Sequence, residues 1–348
     1  ADRPSPLLSR SLKLDDRITE FLLESDRLDS RLCHPIPLVQ RIIPQRHLHS
    51  LVLPEAVKTL LEQLISLEAI AVSWLCLLHG AAGTGKKACA EAVAYGRKRS
   101  LLLLDLPAML KADVPFFTLI AVAFREARIY RSVIYLDGWH ELLADESKSQ
   151  IAAQLVEREI AQFPGLIFLG SHASWQPKDG WRYPFIPIEL PLPDERSRRL
   201  LWQTHLNGSQ TIGSDVNLDY LASAFRFSGG QIQRAIAHAE SQARLQSATN
   251  YTITLEDLLK GCRQESSRHL VTFARKITPK RIWQDLVLPK DTLTQLQELC
   301  QQVRYRTRVY IDWGFDRKLS LGKGAIALFT GNSGTGKTLS AEILAKEL

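Results

Sequence analysis

The chain has 348 residues, of which 45% are hydrophobic and 23% charged, enough for two domains that each bury a core. No run of about eighteen apolar residues occurs, so no membrane span is expected. A net charge of +7 and a pI near 9.2 favour acidic partners such as nucleic acid through counterion release. The basic residues are nevertheless spread along the chain, at 97–99, 196–199 and 304–308, so nucleic acid is only weakly supported.

The chain starts at Ala1, and residues 1–12 have neither the charged-then-apolar layout of a signal peptide nor a transit-peptide composition. The expectation is a longer parent. Five cysteines, Cys33, Cys76, Cys89, Cys262 and Cys300, are odd in number and lack zinc spacing, which suits a reducing cytoplasm. His47 and His49 have no second ligand pair and are read as surface residues rather than metal ligands.

A repeat organises the rest. IIPQRHLHSLVLPEAVKTLLEQL from Ile42 matches ITPKRIWQDLVLPKDTLTQLQEL from Ile277, with Pro44 against Pro279, Leu51 against Leu286 and Pro54 against Pro289 at one constant offset. Each copy continues into an amphipathic helix, an apolar strand and a glycine-rich loop that opens another helix. The second copy carries an insertion, RTRVYIDWGFDRKLSLGKG, before its strand.

Within the first copy, the short apolar runs at 101–106, 133–137, 166–170 and 185–190 read as strands buried on both faces. Their alternation with helical stretches predicts an α/β fold, a parallel sheet between helices with ligands at the strand carboxyl ends. From Pro193 the periodicity is helical only. The expected domains are a helical N-terminal linker (1–45), a large α/β domain (46–191), an all-helical lid (192–276) and the opening of a second α/β module (277–348).

The chemistry lies in the two loops. Gly331, Asn332, Ser333, Gly334, Thr335, Gly336, Lys337 and Thr338 complete the phosphate-loop pattern: the glycines let backbone N–H groups curl around phosphate, Lys337 reaches the terminal phosphates and Thr338 ligates Mg2+. Gly80, Ala81, Ala82, Gly83, Thr84, Gly85 and Lys86 repeat the pattern, but Lys87 occupies the hydroxyl position. A second ammonium there repels a metal and neutralises phosphate, which favours holding a nucleotide over cleaving it. Asp137 ends an apolar strand where an acid orients Mg2+ or its water, or else caps the next helix. Gly138 follows, where a glutamate would polarise the attacking water. Glu141 is the alternative base, one helical turn away.

GxxxxGK, a strand ending in Asp137, a polar strand end at Ser171 and His172, and a lid opened by SGGQIQRA together resemble the AAA+ ATPase superfamily. TPKRIWQDLVLP, the Trp-Gly-Phe of residues 313–315 and GKGAIALFTGNSGTGKT resemble bacterial tandem AAA proteins, some encoded with contractile, phage-tail-like injection systems. The resemblance spans the chain from Leu14. It implies ATP and Mg2+ as ligands, a hexameric ring, a sensor role for Ser171 or His172, an arginine finger at Arg182 and a second sensor at Arg234. It also implies a pore loop near residues 110–117, which here reads LKADVPFF and lacks the glycine of threading enzymes; Phe116 and Phe117 are read as core.

The resulting expectation is an ATP-driven assembly or remodelling factor with a degenerate first site and an active second one. A non-hydrolysing nucleotide-gated scaffold and a DNA-associated ATPase are the alternatives. By itself this chain is expected to hydrolyse ATP weakly or not at all, and its client is not legible.

Overall fold

The computed structural model describes residues 15–33, 37–67, 72–143, 147–177, 180–207, 212–246, 251–267, 279–307, 309, 313 and 325–347. Residues 1–14, most of the insertion including Gly314 and Phe315 of its Trp-Gly-Phe, and the lid's expected last stretch from 268 lie outside them. The chain divides into a unit of residues 1–262 and a unit of residues 263–348.

In the first unit, a six-stranded sheet has the order β1-β3-β4-β5-β2-β6. The strands are β1 (Val39–Ile42), β2 (Trp74–His79), β3 (Leu101–Asp105), β4 (Val133–Asp137), β5 (Leu166–Ser171) and β6 (Phe185–Glu189). β2 to β6 run parallel. β1 was not expected, since residues 1–45 read as a helical linker; it closes the sheet edge antiparallel to β3, with Val39 opposite Leu104 and Ile42 opposite Leu101.

The apolar runs are buried on both faces because their alternate residues enter two cores. Leu75, Leu77, Leu102, Leu104, Ile134 and Leu136 face a core filled by α4 (Leu106–Lys111), α5 (Phe116–Ile129) and α6 (Ser147–Ala161). Cys76, Leu78, Leu101, Tyr135 and Phe168 face one filled by α2 (Glu55–Ser66) and α3 (Lys86–Gly96). This is the two-sided burial of a parallel sheet.

Of the stretch read as a loop at 110–117, residues 112–115 form the connection, while its two ends lie in α4 and α5. Asp105 ends β3 and caps α4, its carboxylate accepting from Ala108 N at 2.9 Å, and Pro115 is the N-cap of α5. Phe116 packs on the first core, whereas Phe117 is 59% exposed.

Ahead of the sheet, α1 (Asp16–Leu22) is fastened to α5. Arg17 Nε and Nη2 donate to the Glu126 carboxylate at 3.1 to 3.2 Å, and Nη2 donates to Tyr130 Oη at 2.8 Å. Arg125 binds Asp15 and Asp29.

After β6 come α7 (Glu195–Leu206), α8 (Leu218–Ala224), α9 (Gly229–Gln246) and α10 (Leu255–Ser267). They surround a separate core of Trp202, Leu206, Leu221, Ile232, Ile236 and Leu258. Asp194 caps α7 by accepting from Ser197 N at 2.8 Å, and Asn217 caps α8.

The second unit pairs α11 (Lys290–Thr307) with α12 (Lys337–Glu347) over a small core of Leu286, Leu296, Cys300, Ile343 and Leu344. The strand expected before the second glycine loop does not form. Residues 325–330 are unpaired, with Ile326 95% and Leu328 87% exposed. A two-sided apolar strand requires a neighbour on each side, and among the described residues none pairs with it. Leaving each such side chain in water forgoes roughly 1.5–3 kcal/mol of burial.

Candidate functional site

At the carboxyl end of β2 the chain enters the first glycine loop. Gly80, Gly83 and Gly85 have φ of +145°, +78° and +98°, a region glycine enters without steric cost. Gly85 precedes α3 without any side-chain cap, so the first-turn N–H groups are left for an anion. Lys86 folds back over the loop, its Nζ donating to the carbonyls of Gly80 at 2.7 Å and Ala81 at 2.8 Å. Burial lowers its pKa, with Asp137 pulling the other way.

The loop also touches the start of the lid. Gly230 N donates to Gly83 O at 2.9 Å, and a Cβ on Gly83 would lie 2.6 Å from Ser228 Oγ. Arg234 Nη1 comes within 3.5 Å of where a Cβ on Gly230 would stand. The second-sensor candidate therefore reaches the phosphate-loop side of the lid. Arg182 is exposed, ahead of β6, and is not among the residues lining the cleft.

A cleft of about 970 Å³ runs along the loop, large enough for a nucleotide. One wall is polar, with Lys86, Lys87, Asp137 and His172; the other is apolar, with Leu51, Val52, Leu53, Pro54, Leu190, Leu192 and Leu201. The apolar wall was not assigned from sequence. Its signal was the repeat itself, whose Leu-Val-Leu-Pro occurs in both copies. Arg46 and His205 also line the cleft without any motif to mark them.

Two positions beside the loop settle into distinct roles. Ser171 is buried in its own turn, its Oγ donating to Ala173 O at 2.7 Å and accepting from Ala173 N at 3.1 Å. His172 lines the cleft instead, with its ring 4.3 Å from that of His140. Burial lowers its pKa, and His140 and Lys86 act in the same direction against Asp137 and Glu141.

Asp137 is held by its neighbours: its Oδ1 accepts from Gly138 N at 3.1 Å and from Tyr135 Oη at 3.5 Å. Burial and Asp137 both raise the Tyr135 pKa, so its phenol stays a donor. Gly138 has φ +78°, and a Cβ there would lie 2.6 Å from both Cγ and Cδ of Pro107. Glu141 is exposed in the short 3-10 helix Trp139–Leu143.

Mg2+ demands several oxygen donors in near-octahedral geometry. The first site offers the Asp137 carboxylate, the Lys87 ammonium at the hydroxyl position, and no space for a carboxylate at 138. That set does not suit the ion.

The second loop repeats the first in backbone and bonding. Gly331, Gly334 and Gly336 have φ of +144°, +82° and +85°, and Lys337 Nζ donates to Gly331 O at 2.9 Å and Asn332 O at 2.6 Å. Thr338 follows on α12, exposed, and carries a hydroxyl where the first loop has Lys87.

The contractile injection system ATPase helical domain family matches residues 194–268, the lid. The chain has an AAA-type fold, and its lid matches the helical domain of contractile injection system ATPases. Two solved structures share the AAA+ fold. One, described as "Structural Basis for Katanin Self-Assembly", has a TM-score of 0.53 at 17% identity over 69% of this chain and 92% of its own. The other, the FIGL-1 AAA domain, has a TM-score of 0.53 at 19% identity over 75% and 92%. At these identities the likeness is one of fold. No curated protein matches the chain. No helix among the described residues is long and apolar enough to cross a membrane.

Proposed function

We propose that the chain is part of an ATP-driven assembly or remodelling factor of a contractile injection system, with two nucleotide sites of unequal chemistry. The first holds a nucleoside triphosphate and steadies the assembly. The second, in the full-length protein, hydrolyses ATP with Mg2+ on Thr338. The observation that carries this reading is the pair of loops with the same glycine φ angles and the same lysine-to-carbonyl bonds, of which one has lost its hydroxyl and its neighbouring carboxylate.

Binding supplies orientation in both sites. The backbone N–H groups and the lysine would hold the phosphates, and the Leu51–Pro54 wall would exclude water from the base. Self-association into a ring, with Arg182 presented to a neighbouring subunit and Arg234 sensing phosphate from the lid, agrees with the exposure of Arg182 and the placement of Arg234. The self-assembly named for the katanin structure supports it by likeness of fold alone. Kinetics of the full-length protein with Lys337→Ala and with Lys86→Ala provide the test. The first change should abolish turnover and the second should leave a reduced rate; the reverse result would overturn this division of labour.

A nucleotide-gated scaffold is the second reading, favoured by Lys87 and Gly138. Tight ATP binding by the full-length protein without product release would establish it over the motor. Duplex DNA that neither binds at low salt nor alters turnover would remove the DNA-associated reading.

A further inference from the structure

We propose that the first loop takes its nucleoside triphosphate without a divalent cation, the Lys87 ammonium standing between the phosphates where a metal would otherwise be. This rests on the reading of the cleft as a triphosphate site and deepens it by naming the ionic form of the ligand: the free tetra-anion rather than its Mg2+ complex.

Three observations converge. Lys87 is the second residue of α3, exposed and in the cleft wall beside Lys86 and Asp137. It brings three rotatable donors on a flexible stem to the position from which a hydroxyl would reach a metal. A divalent ion there would face a fixed like charge at close range in a partly enclosed cleft, where repulsion is screened less than in water. A polyphosphate meets two ammonium groups and the amino end of α3 instead, which together supply the positive charge a metal normally contributes.

The acidic side of a metal site is reduced as well. Asp137 Oδ1 is engaged by Gly138 N and Tyr135 Oη, and Gly138 adds no side-chain oxygen beside it. The loop that cradles phosphate is intact, while the hydroxyl that would recruit the cation is replaced by Lys87 and Asp137 is left as the acid beside it. Loss of nucleotide binding would have left no reason for the glycine φ pattern and the Lys86 fold-back to persist in the same form as in the second loop.

The test uses the whole chain with Lys337→Ala to silence the second loop, and a fluorescent N-methylanthraniloyl ATP as probe, titrated in excess Mg2+ and again in excess EDTA. The expected Kd values agree to within about fivefold, below the tenfold that corresponds to 1.4 kcal/mol. A Kd weakened by more than that in EDTA would overturn the proposal while leaving the triphosphate reading intact. No binding in either buffer would overturn both. Lys87→Thr, an exposed change that leaves the thermal midpoint within about 2 °C of the parent, should restore metal dependence, with binding in EDTA weaker than in Mg2+ by about tenfold or more. An unchanged ratio in that variant would also sink it.

Discussion

Gly138→Glu is the substitution that would rewrite the first site by motif, and the structure predicts that it fails. With φ at +78°, any side chain there pays about 1–2 kcal/mol for the left-handed backbone. The added Cβ would sit 2.6 Å from two atoms of Pro107, in a pyrrolidine ring that cannot rotate away, and overpacking of this kind costs typically 1–3 kcal/mol. Together the variant should lose about 2–5 kcal/mol, which for a folding unit of this size corresponds to a fall in midpoint of roughly 4–20 °C. Thermal unfolding followed by circular dichroism measures this directly. The same protein, carrying Lys337→Ala, should show no ATP turnover above the parent in a phosphate-release assay, because α4 must shift before a carboxylate can face the cleft. An unchanged midpoint, or turnover that appears with the new carboxylate, would refute the steric argument.

Further predictions concern the fastening of the N-terminal segment. Arg17 and Glu126 are 3% and 0% exposed at the side chain, so Arg17→Ala leaves the buried carboxylate with only the longer 3.5 Å contact from Arg125 and should cost about 3 kcal/mol in urea unfolding. Replacing both partners by Met and Leu should recover most of that loss, and a single-variant cost below about 1 kcal/mol would contradict the arrangement. Asp29 is held down to a pKa of about 2 by the Arg31 side-chain bond, against the opposing effect of its burial, with Arg31 N and Arg125 adding to the lowering. A carboxyl lowered from 3.8 contributes stability that is fully present above that value and lost as pH falls towards 2, about 2 kcal/mol in all. Asp29→Asn should therefore be less stable than the parent at pH 6 and converge with it near pH 2; a gap constant across the range would count against this.

Much of the site was legible because its backbone is dictated locally. Glycines at Gly80, Gly83 and Gly85 permit positive φ, and the same spacing at Gly331, Gly334 and Gly336 produced the same angles without the help of a sheet. The runs that became β2 to β6 were readable because residues buried on both faces must be continuously apolar. β1 was missed for the converse reason: Val-Gln-Arg-Ile is short and half polar, and only the open edge of β3 makes it a strand.

The connection expected around residues 110–117 is shorter than that stretch, residues 112–115, because α4 runs to Lys111 and α5 starts directly after its N-cap Pro115. His140 carried no motif, since what matters about it is a ring placed 4.3 Å from His172 by another strand's end.

The chain's own pattern thus determined the two phosphate loops, the exchange of hydroxyl for Lys87 and the loss of the acid at Gly138, since each depends on residues adjacent in sequence. Tertiary structure alone decided that a side chain at Gly138 would meet Pro107 and that the first Leu-Val-Leu-Pro walls the cleft. Those outcomes depend on which atoms lie across a gap, and spatial neighbours far apart in the chain leave no periodic trace in it.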